Sequence, residues 1–317
     1  MLRPRKDSMR ISAIVTTYNR SEHLRRCLAS LEMQTRVPDE VVIADDGSDQ
    51  EHVETIEEIM RGSPLNLVYA RQEHRGHRAC ASRNNGVRHA SGDYLIVADG
   101  DAVFLPEVVE EHLRASHPRR WVSGWGLWLT AEQSERVSKE FIRSGGLESL
   151  WAELPAALTE KRFDHAARFK TRALKAWLWP SEGRRRRLKL VSLHTSMYRS
   201  ALERINGFDE NFVGWGRSDK DLGLRLQLAG IRGRTIADRA RVLHLYHELL
   251  PRPAADDANS SYNTEYYSRP RHRAYWCEKG LMSAPSSGFE RLGGPRWIVR
   301  VTGRRIAGRE GRTSGGS

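Results

Sequence analysis

Two carboxylates, Asp99 and Asp101, directly follow the apolar segment 94–98, and one glycine separates them. The apolar segment predicts a buried strand that delivers both acids to its carboxyl end. In open α/β sheets ligands bind at that edge, and paired oxygen ligands suit Mg²⁺ or Mn²⁺ carrying a nucleotide diphosphate. The alternative is a turn whose aspartates only cap backbone donors, and such turns are common enough that this motif alone favours the cap.

Polar residues follow two earlier apolar segments, 11–16 and 40–44, in the same way. The first segment leads into Thr17, Tyr18, Asn19 and Arg20, and the second leads into Asp45 and Asp46. Apolar residues at helical spacing separate these segments, which predicts a parallel sheet with right-handed crossovers and brings all three polar sets to one edge.

The two aspartates at 45 and 46 have two interpretations. As part of a nucleotide site, one carboxylate would accept the imide N–H of a uracil, which a carboxylate does better than an amide oxygen. As part of a plain turn, both would cap backbone donors. No glycine-rich phosphate loop follows the first strand, which leaves phosphate carried on a metal ion as the predicted route.

A later block begins with a Gly-Trp-Gly turn that contains Trp215 and Gly216. A helical pattern follows, with Asp219 and Asp221 in its first turn, and Ser218 is predicted to cap it. An amphipathic helix explains this pattern by itself. It does not explain the flexible, aromatic turn before it, which suits the wall of a sugar site.

Two histidines, His244 and His247, lie in the segment 241–248, which predicts a strand. Because they are three residues apart, they would face opposite sides of that strand. At most one is therefore expected to reach a given metal ion, and His244 is slightly preferred. Each could instead be an ordinary surface or core histidine.

The order and spacing of these motifs resemble those of family 2 glycosyltransferases with the GT-A fold, over residues 11 to about 115. The matching segments are 12–20, 38–48, Arg83-Asn84-Asn85-Gly86 and Asp99-Gly100-Asp101. The resemblance implies an α/β, Rossmann-like, mostly parallel sheet flanked by helices. It also implies that the loop 17–20 and the positions of Asp46 and Arg83 bind the nucleotide donor, that Asp99 and Asp101 hold ribose and a divalent ion, and that Asp101 is the main metal ligand.

Residues 191–250 resemble the acceptor half of galactosyl- and N-acetylgalactosaminyltransferase-like enzymes of this fold. In that group Gly-Trp-Gly precedes Glu-Asp, and the Asp is the catalytic base. By position the base is Asp219, with Asp221 as the alternative, and Trp215 lies beside the substrates. Ser218 stands where the relatives carry a Glu that helps to bind the acceptor. Similar enzymes also place a histidine after the later strand, as a metal ligand or diphosphate contact.

The reaction implied is an inverting transfer from a UDP-sugar, with Mn²⁺ or Mg²⁺, to a saccharide or glycolipid acceptor in surface polysaccharide synthesis. A donor of galactose or N-acetylgalactosamine type is weakly favoured. A non-catalytic sugar-binding or scaffold relative remains an alternative because of Ser218. A basic nucleic-acid-binding protein is a further alternative, but acidic strand ends repel phosphate unless a metal intervenes, so no nucleic-acid partner is expected.

The charge and the cysteines bear on partners and compartment. The chain of 317 residues has 52 Lys plus Arg against 40 Asp plus Glu, a formal charge of +12 that would attract polyanions or an anionic membrane leaflet. Cys27, Cys80 and Cys277 are far apart, which argues against a disulfide scaffold and favours a reducing compartment. The basic start lacks the apolar region of a secretory signal, and no apolar run could span a bilayer. These features predict a cytoplasmic protein that could rest on the inner face of the membrane.

A single large domain with five parts is predicted. They are a flexible arm (1–10), a nucleotide-sugar half (11–118), a basic, Trp-rich helical insertion (119–190), an acceptor half (191–250) and a C-terminal extension (251–317) with a disordered end. Five tryptophans in or near the insertion could face sugar or lipid, although core packing is expected for at least half: Trp125, Trp128, Trp151, Trp177 and Trp179. The run Arg184 to Arg187 would meet a phosphate-bearing acceptor or an anionic leaflet.

Overall fold

The computed structural model describes residues 9–178, 190, 193–248, 258–269 and 274–282. Most of the predicted arm (1–8), the run Arg184 to Arg187, the side chains of Trp177 and Trp179, and the C-terminal end from 283 lie outside the described residues.

The helices and strands follow one another in this order: β1 (Ile11–Thr17), α1 (Ser21–Glu32), β2 (Glu40–Asp45), α2 (Gln50–Gly62), β3 (Leu67–Arg71), α3 (Ala79–His89), β4 (Tyr94–Asp99), β5 (Ala102–Phe104), α4 (Val108–Ala115), β6 (Arg120–Ser123), β7 (Leu127–Trp128), α5 (Ala131–Glu135), α6 (Lys139–Arg143), α7 (Gly146–Glu153), α8 (Ala156–Thr159), α9 (Lys161–Leu178), β8 (His194–Tyr198), α10 (Arg199–Arg204), α11 (Ser218–Leu228), β9 (Arg232–Thr235), β10 (Val242–His244) and α12 (Ala258–Ser268).

A seven-stranded sheet forms the centre of the fold, in the order β3-β2-β1-β4-β8-β6-β9. Its strands pair in parallel, except that β8 runs antiparallel to both of its neighbours, β4 and β6. The predicted α/β architecture with a mostly parallel sheet is confirmed. A second, three-stranded sheet, β5-β10-β7, stands at the end of β4.

Apolar residues on both faces of the central strands explain why helices cover the sheet on both sides. In β1, Ala13 and Val15 pack into a core shared with α1, α2 and α4, whereas Ile14 packs into a second core shared with α3, α10 and α11. This alternation follows from the two-residue period of a strand. A third core joins the small sheet to α6 and α7.

The segment 121–128, within the insertion predicted as helical, contains two strands, β6 and β7, which belong to different sheets. The half-buried Trp125 lies between them, and it packs against the third core together with Trp151. Trp128, by contrast, is exposed. No helix in the described part of the chain is long and apolar enough to cross a membrane.

The predicted cap at Ser218 is wrong, because Ser218 is the first residue of α11 and Arg217 before it makes no side-chain cap. Ser21 is likewise the first residue of α1, and its hydroxyl lies 3.0 Å from Nδ1 of His52. The predicted end of α11 at Gly230 is confirmed, since this glycine has a φ of +79°, a conformation that favours glycine.

Candidate active site

The carboxyl ends of β1, β2 and β4 meet at one edge of the central sheet. The parallel register pairs Thr17 of β1 with Asp45 of β2, and Thr16 of β1 with Asp99 of β4. The prediction that the three polar sets converge is therefore confirmed as geometry. This edge is the place where parallel α/β sheets bind ligands.

The Asp99-Gly100-Asp101 turn is fixed against β1 by its glycine. The N–H of Gly100 donates to the carbonyl of Thr16 at 2.8 Å. A Cβ at position 100 would lie 2.7 Å from that same carbonyl oxygen, which is too close for any other residue without movement of the backbone.

Asp101 lies at the centre of a cluster of three side chains that we call the metal-ligand triad: Asp101, His244 and His247. Nε2 of His244 is 3.4 Å from Oδ1 of Asp101, and Nε2 of His247 is 3.4 Å from Oδ2. One ligand atom from each residue lies within 4.8 Å of the other two. Arg20 stands beside the triad, with Nη1 3.2 Å from Oδ2 of Asp101.

Both histidines reach Asp101, so the expectation that only one would do so was wrong. The alternation argument assumed a strand over 241–248, but β10 ends at His244 and the chain then turns. The N–H of Leu245 donates to the backbone carbonyl of Asp101 at 2.9 Å, which draws the following residues towards the acid.

The triad fits a divalent cation. Nδ1 of His244 lies 2.8 Å from the carbonyl of Leu245, and Nδ1 of His247 lies 2.9 Å from that of Glu248. If Nδ1 of His244 donates there, its Nε2 lone pair points to the cluster. Nδ1 of His247 also lies 3.1 Å from Nη2 of Arg20, which can only donate, so an ion at Nε2 of His247 would move the proton of this ring to Nδ1 and displace Arg20 from it. Oδ1 of Asp101 is buried and has no hydrogen-bond partner among the described residues, and such an atom is expected where an ion would bind.

Trp128 supports the triad, although sequence analysis gave it no role there. Its indole stacks on the imidazole of His244, with ring centroids 3.6 Å apart and planes 18° apart. The parallel register of β7 and β10 pairs these two residues and so creates the stack. The contact between Trp128 and His244 could have been predicted from the pairing of β7 with β10, which places the two residues at the same register.

Asp99, predicted as the second metal ligand, lies outside the triad. Its Oδ1 accepts from Thr16 Oγ1 at 3.2 Å and from Nη2 of Arg83 at 2.9 Å. Burial raises the pKa of Asp99 to about 6, against the opposing charge of Arg83. The acid therefore serves to orient Arg83 at this edge.

Arg83 connects the carboxyl end of β4 to α11. Its guanidinium is buried, with Nη2 on Asp99 and Nη1 3.9 Å from Oδ1 of Asp219. It also lies 5.6 Å from the ring centroid of Phe208. Asp219, in the first turn of α11 and about one third exposed, thus stands on the same side of the molecule as the Asp99-Gly100-Asp101 turn.

Asp221, the alternative base, is not brought to the site. Its side chain is fully buried, and Oδ2 accepts from Nε of Arg225 at 2.7 Å. Arg225 also donates to the carbonyls of Ile205 and Gly207, both at 2.9 Å. This buried ion pair fixes α11 to the loop before it, so Asp221 acts in the core.

Replacing Asp221 by Asn should destabilise the fold, because it leaves the Arg225 guanidinium buried without a counter-charge. We expect the free energy of unfolding, measured by urea denaturation, to fall by about 3 kcal/mol. Asp219→Asn, on the exposed side of the same helical turn, is the matched control and should change it by less than about 0.5 kcal/mol. Equal stability of the two variants would contradict this structural role.

The two aspartates after β2 have different environments. Asp45 is fully buried, and its carboxylate accepts from Ser48 N–H, the Ser48 hydroxyl (2.6 Å) and the Tyr69 hydroxyl (2.6 Å). It therefore holds the turn and has little capacity left for a nucleoside. Asp46 accepts from Gln72 Nε2 at 2.6 Å and from the N–H of Arg78 at 2.7 Å, and burial raises its pKa.

An aromatic pair stands next to Asp46. The ring of Tyr18 stacks on that of His74, with centroids 4.5 Å apart and planes 11° apart. Nδ1 of His74 lies 3.1 Å from the carbonyl of Asp46, which fixes the pair beside that acid. Sequence analysis missed His74, although it follows β3 and so belongs to the same sheet edge.

The loop between Tyr18 and α1 is held by its own polar contacts. Asn19 has a φ of +47°, and its side chain exchanges two hydrogen bonds with Asp49, both at 2.8 Å. Thr17 is buried, and its hydroxyl has no hydrogen-bond partner. The loop is thus a fixed surface rather than a mobile flap.

The Gly-Trp-Gly turn lies over the loop that follows β3. The N–H of Gly214 donates to the carbonyl of His77 at 2.8 Å, and Nδ1 of His77 lies 3.0 Å from the carbonyl of Gly214. Gly214 and Gly216 have φ values of +74° and +106°, so glycine is needed at both. Trp215 between them is 64% exposed, and Asn263 of α12 donates to its carbonyl at 3.3 Å.

Two family models match the chain. Residues 12–119 match the model described as glycosyl transferase family 2. Residues 174–248 match the model described as the N-terminal domain of galactosyltransferase. The first range contains the polar residues at the carboxyl ends of β1, β2 and β4. The second contains Asp219 and both histidines of the triad.

Curated relatives match over about 70% of the chain. Validoxylamine A glucosyltransferase of Streptomyces hygroscopicus subsp. limoneus is 32% identical over 240 residues, which cover 70% of this chain and 48% of that protein. Chondroitin synthase of Escherichia coli is 30% identical over 237 residues, which cover 71% of this chain and 33% of that protein. The chain thus spans half or less of the length of these relatives.

Solved structures share the fold at low sequence identity. A mannosyltransferase, PcManGT from Pyrobaculum calidifontis, in complex with GDP-Man and Mn²⁺, has a TM-score of 0.51 and 17% identity, over 76% of this chain and 58% of that one. GalNAc-T7 with UDP, GalNAc and Mn²⁺ has a TM-score of 0.54 and 12% identity, over 80% of this chain and 46% of that one.

Proposed function

Because this chain belongs to the family 2 glycosyltransferases, we propose that it moves a sugar from a UDP-sugar to a hydroxyl of a saccharide or glycolipid acceptor. The transfer is a single displacement that inverts the anomeric carbon. One observation carries this proposal. The carboxylates of Asp219 and of Asp99, the last residue of β4, meet at a single buried arginine, Arg83, so a base and the Asp99-Gly100-Asp101 turn lie on the same side of the molecule.

The triad of Asp101, His244 and His247 would hold Mn²⁺ or Mg²⁺. Its two imidazole nitrogens favour Mn²⁺, because Mg²⁺ prefers an all-oxygen set. When bound, the ion supplies positive charge that stabilises the departing diphosphate. The Arg20 guanidinium, 3.2 Å from Asp101, adds a fixed positive charge at the same place.

Asp219 takes the proton of the acceptor hydroxyl as that oxygen attacks. The residue lies in the first turn of α11. Its partial exposure leaves room for an acceptor, in contrast to the closed environment of Asp221. General-base assistance by a positioned carboxylate suits the neutral pH range.

The uracil of the donor is expected between Asp46 and the Tyr18–His74 pair. Asp46 supplies an acceptor for the imide N–H, and the stacked rings supply a flat face for the base. The exposed Trp215 stands next to α11 and offers an aromatic wall to one of the two sugars. Ser218 cannot replace the charge of the Glu that relatives carry at this position, which points to a different acceptor.

Two of the similar proteins bear on the identity of the donor and of the product. UDP and Mn²⁺ accompany GalNAc-T7, and one relative is a chondroitin synthase, which supports a UDP-sugar and a polysaccharide product. PcManGT binds GDP-Man, so guanosine donors need testing. A cytoplasmic location, and membrane contact through residues 184–187, stay predictions.

Release of nucleotide from a donor panel tests the proposed function. We expect UDP release from at least one of UDP-galactose, UDP-N-acetylgalactosamine, UDP-glucose and UDP-N-acetylglucosamine, at least tenfold faster with Mn²⁺ than with EDTA. GDP-mannose is the control for base selection. Donor binding without any release, with or without saccharide acceptors, would instead identify a non-catalytic sugar-binding relative.

A further inference from the structure

Helix α9 carries an apolar stripe on its outward face. Phe163, Leu174 and Leu178 are 48%, 54% and 48% exposed, and the exposed Ala167 lies between them along the helix. At 100° per residue, these four positions fall within about 60° of one another. Scattered exposed apolar residues need no explanation, but a stripe along a helix of 18 residues does.

The other side of α9 is already occupied by the fold. Ala166 and Phe169 are buried, and the ring of Phe169 packs edge-on against Trp121 of β6 at 5.7 Å. Lys170 pairs with Asp238 at 2.6 Å. The helix is therefore docked on the β6–β9 edge of the sheet, and its stripe must face away from the molecule.

Basic side chains border the stripe. Lys170, which pairs with Asp238, lies on one side of it, and Asp164, Lys175 and Arg168 lie on the other. Asp164 is the only acidic residue in the helix, against six lysines and arginines: Lys161, Arg162, Arg168, Lys170, Arg172 and Lys175. The partner of this face should thus combine an apolar interior with a negative surface.

This charge argues against two occupants made of the same chain. The C-terminal segment 283–317 carries seven arginines and two acids, so it would be repelled by α9. A second copy would place one basic α9 beside another, which is equally unfavourable. Neither objection applies to an anionic partner.

We propose that α9 docks the protein on the surface of an anionic lipid bilayer. Phe163, Leu174 and Leu178 enter the boundary between headgroups and acyl chains, while Arg168 and Lys175 lie at the level of the anionic headgroups. A nucleic acid would satisfy the basic border but would leave the apolar stripe in water. The docking is independent of sugar transfer, although it would bring the active-site edge to acceptors carried on lipid.

Flotation of the full chain with vesicles tests the docking. We expect binding to vesicles of phosphatidylcholine with phosphatidylglycerol, much weaker binding to phosphatidylcholine alone, and weaker binding as salt rises. The stripe variant Leu174→Ser with Leu178→Ser should lower partitioning about tenfold or more. The border variant Arg168→Gln with Lys175→Gln should lower it by about fivefold for each charge removed.

Matched controls distinguish an effect of α9 from an effect of exposed apolar or basic side chains elsewhere on the protein. Met33→Ser with Val37→Ser removes two apolar side chains that are each 38% exposed elsewhere. Arg61→Gln with Arg114→Gln removes two exposed basic side chains on other helices. Both should partition within about twofold of the original protein. Residues 184–187 are left unchanged in every variant.

Three outcomes would overturn the docking proposal. One is the absence of binding to anionic vesicles, and a second is equal flotation of the original protein and the two α9 variants. The third is α9-dependent binding to DNA or RNA without vesicle binding, which would identify a nucleic-acid surface. UDP release from a soluble donor should be the same in all α9 variants, so failure of the docking and failure of the proposed function can be told apart.

Discussion

Replacing Asp219 by Asn should lower the rate of sugar transfer by a factor of about 10² to 10⁴ while leaving the affinity for UDP within about threefold. The amide cannot accept the acceptor's proton. It also lies outside the triad of Asp101, His244 and His247, so the nucleotide keeps its contacts. The turnover rate at saturating donor and acceptor, together with calorimetry of UDP binding in Mn²⁺, measures both parts of this prediction.

The control for Asp219 is the next residue in the same helical turn. Lys220→Gln changes a charge at the same end of α11 and should leave transfer within about twofold. If Asp219→Asn lost UDP affinity as strongly as transfer, the residue would belong to the donor site, and its assignment as base would be refuted.

Replacing Asp101 by Asn should remove the effect of Mn²⁺ on UDP binding, with a loss of Mn²⁺ affinity of about 100-fold or more. The amide removes the negative charge of the triad and offers only one neutral oxygen. UDP binding in EDTA, which depends on the residues around Asp46 and Tyr18, should stay unchanged. The free Mn²⁺ signal in electron paramagnetic resonance titrations gives metal affinity, and calorimetry gives the nucleotide affinity.

Asp99→Asn is the matched control, because it makes the same chemical change two residues away. Asp99 pairs with Arg83 and Thr16 outside the triad, so this variant should keep its Mn²⁺ affinity within about fivefold. A larger loss of Mn²⁺ affinity in Asp99→Asn than in Asp101→Asn would show that the ion is held at the other acid.

The convergence of the polar residues that follow β1, β2 and β4 could be predicted, because each set directly follows an apolar segment in the sequence. The strands β1, β2 and β4 are short apolar runs, and the residues that follow each of them are the polar residues of the site. Parallel order alone then brings these residues together. Helical spacing of the apolar residues between these segments predicted the helices that separate the strands, and α1 is one of them.

The roles of these acids could not be predicted, since several of their partners are remote in sequence. Asp45 and Asp46 look alike in the chain, but the carboxylate of Asp45 is occupied by Ser48 and by the hydroxyl of Tyr69, 24 residues later. Asp219 and Asp221 differ because one faces Arg83 and the other faces Arg225. Periodicity assigns both pairs the same role, and tertiary packing separates them.

The metal-ligand triad could not be predicted for a different reason. The two-residue period of a strand predicts that His244 and His247 face opposite sides, but pairing with β5 stops at His244, so this period does not extend to His247. Residues at the end of a short strand are held by loop contacts, here the bond from Leu245 to Asp101. Strand ends are the least predictable part of a sequence, and in this fold they carry the site.

The contact of Gly100 with the Thr16 carbonyl restricts how this protein could be re-engineered. In a library randomised across residues 99–101, folded variants should carry only glycine at position 100, because any larger residue pushes β1 away from β4. Directed evolution towards new donors would need to leave that position constant. Diversity is better introduced at exposed aromatic positions such as Trp215, where a changed side chain does not displace a strand.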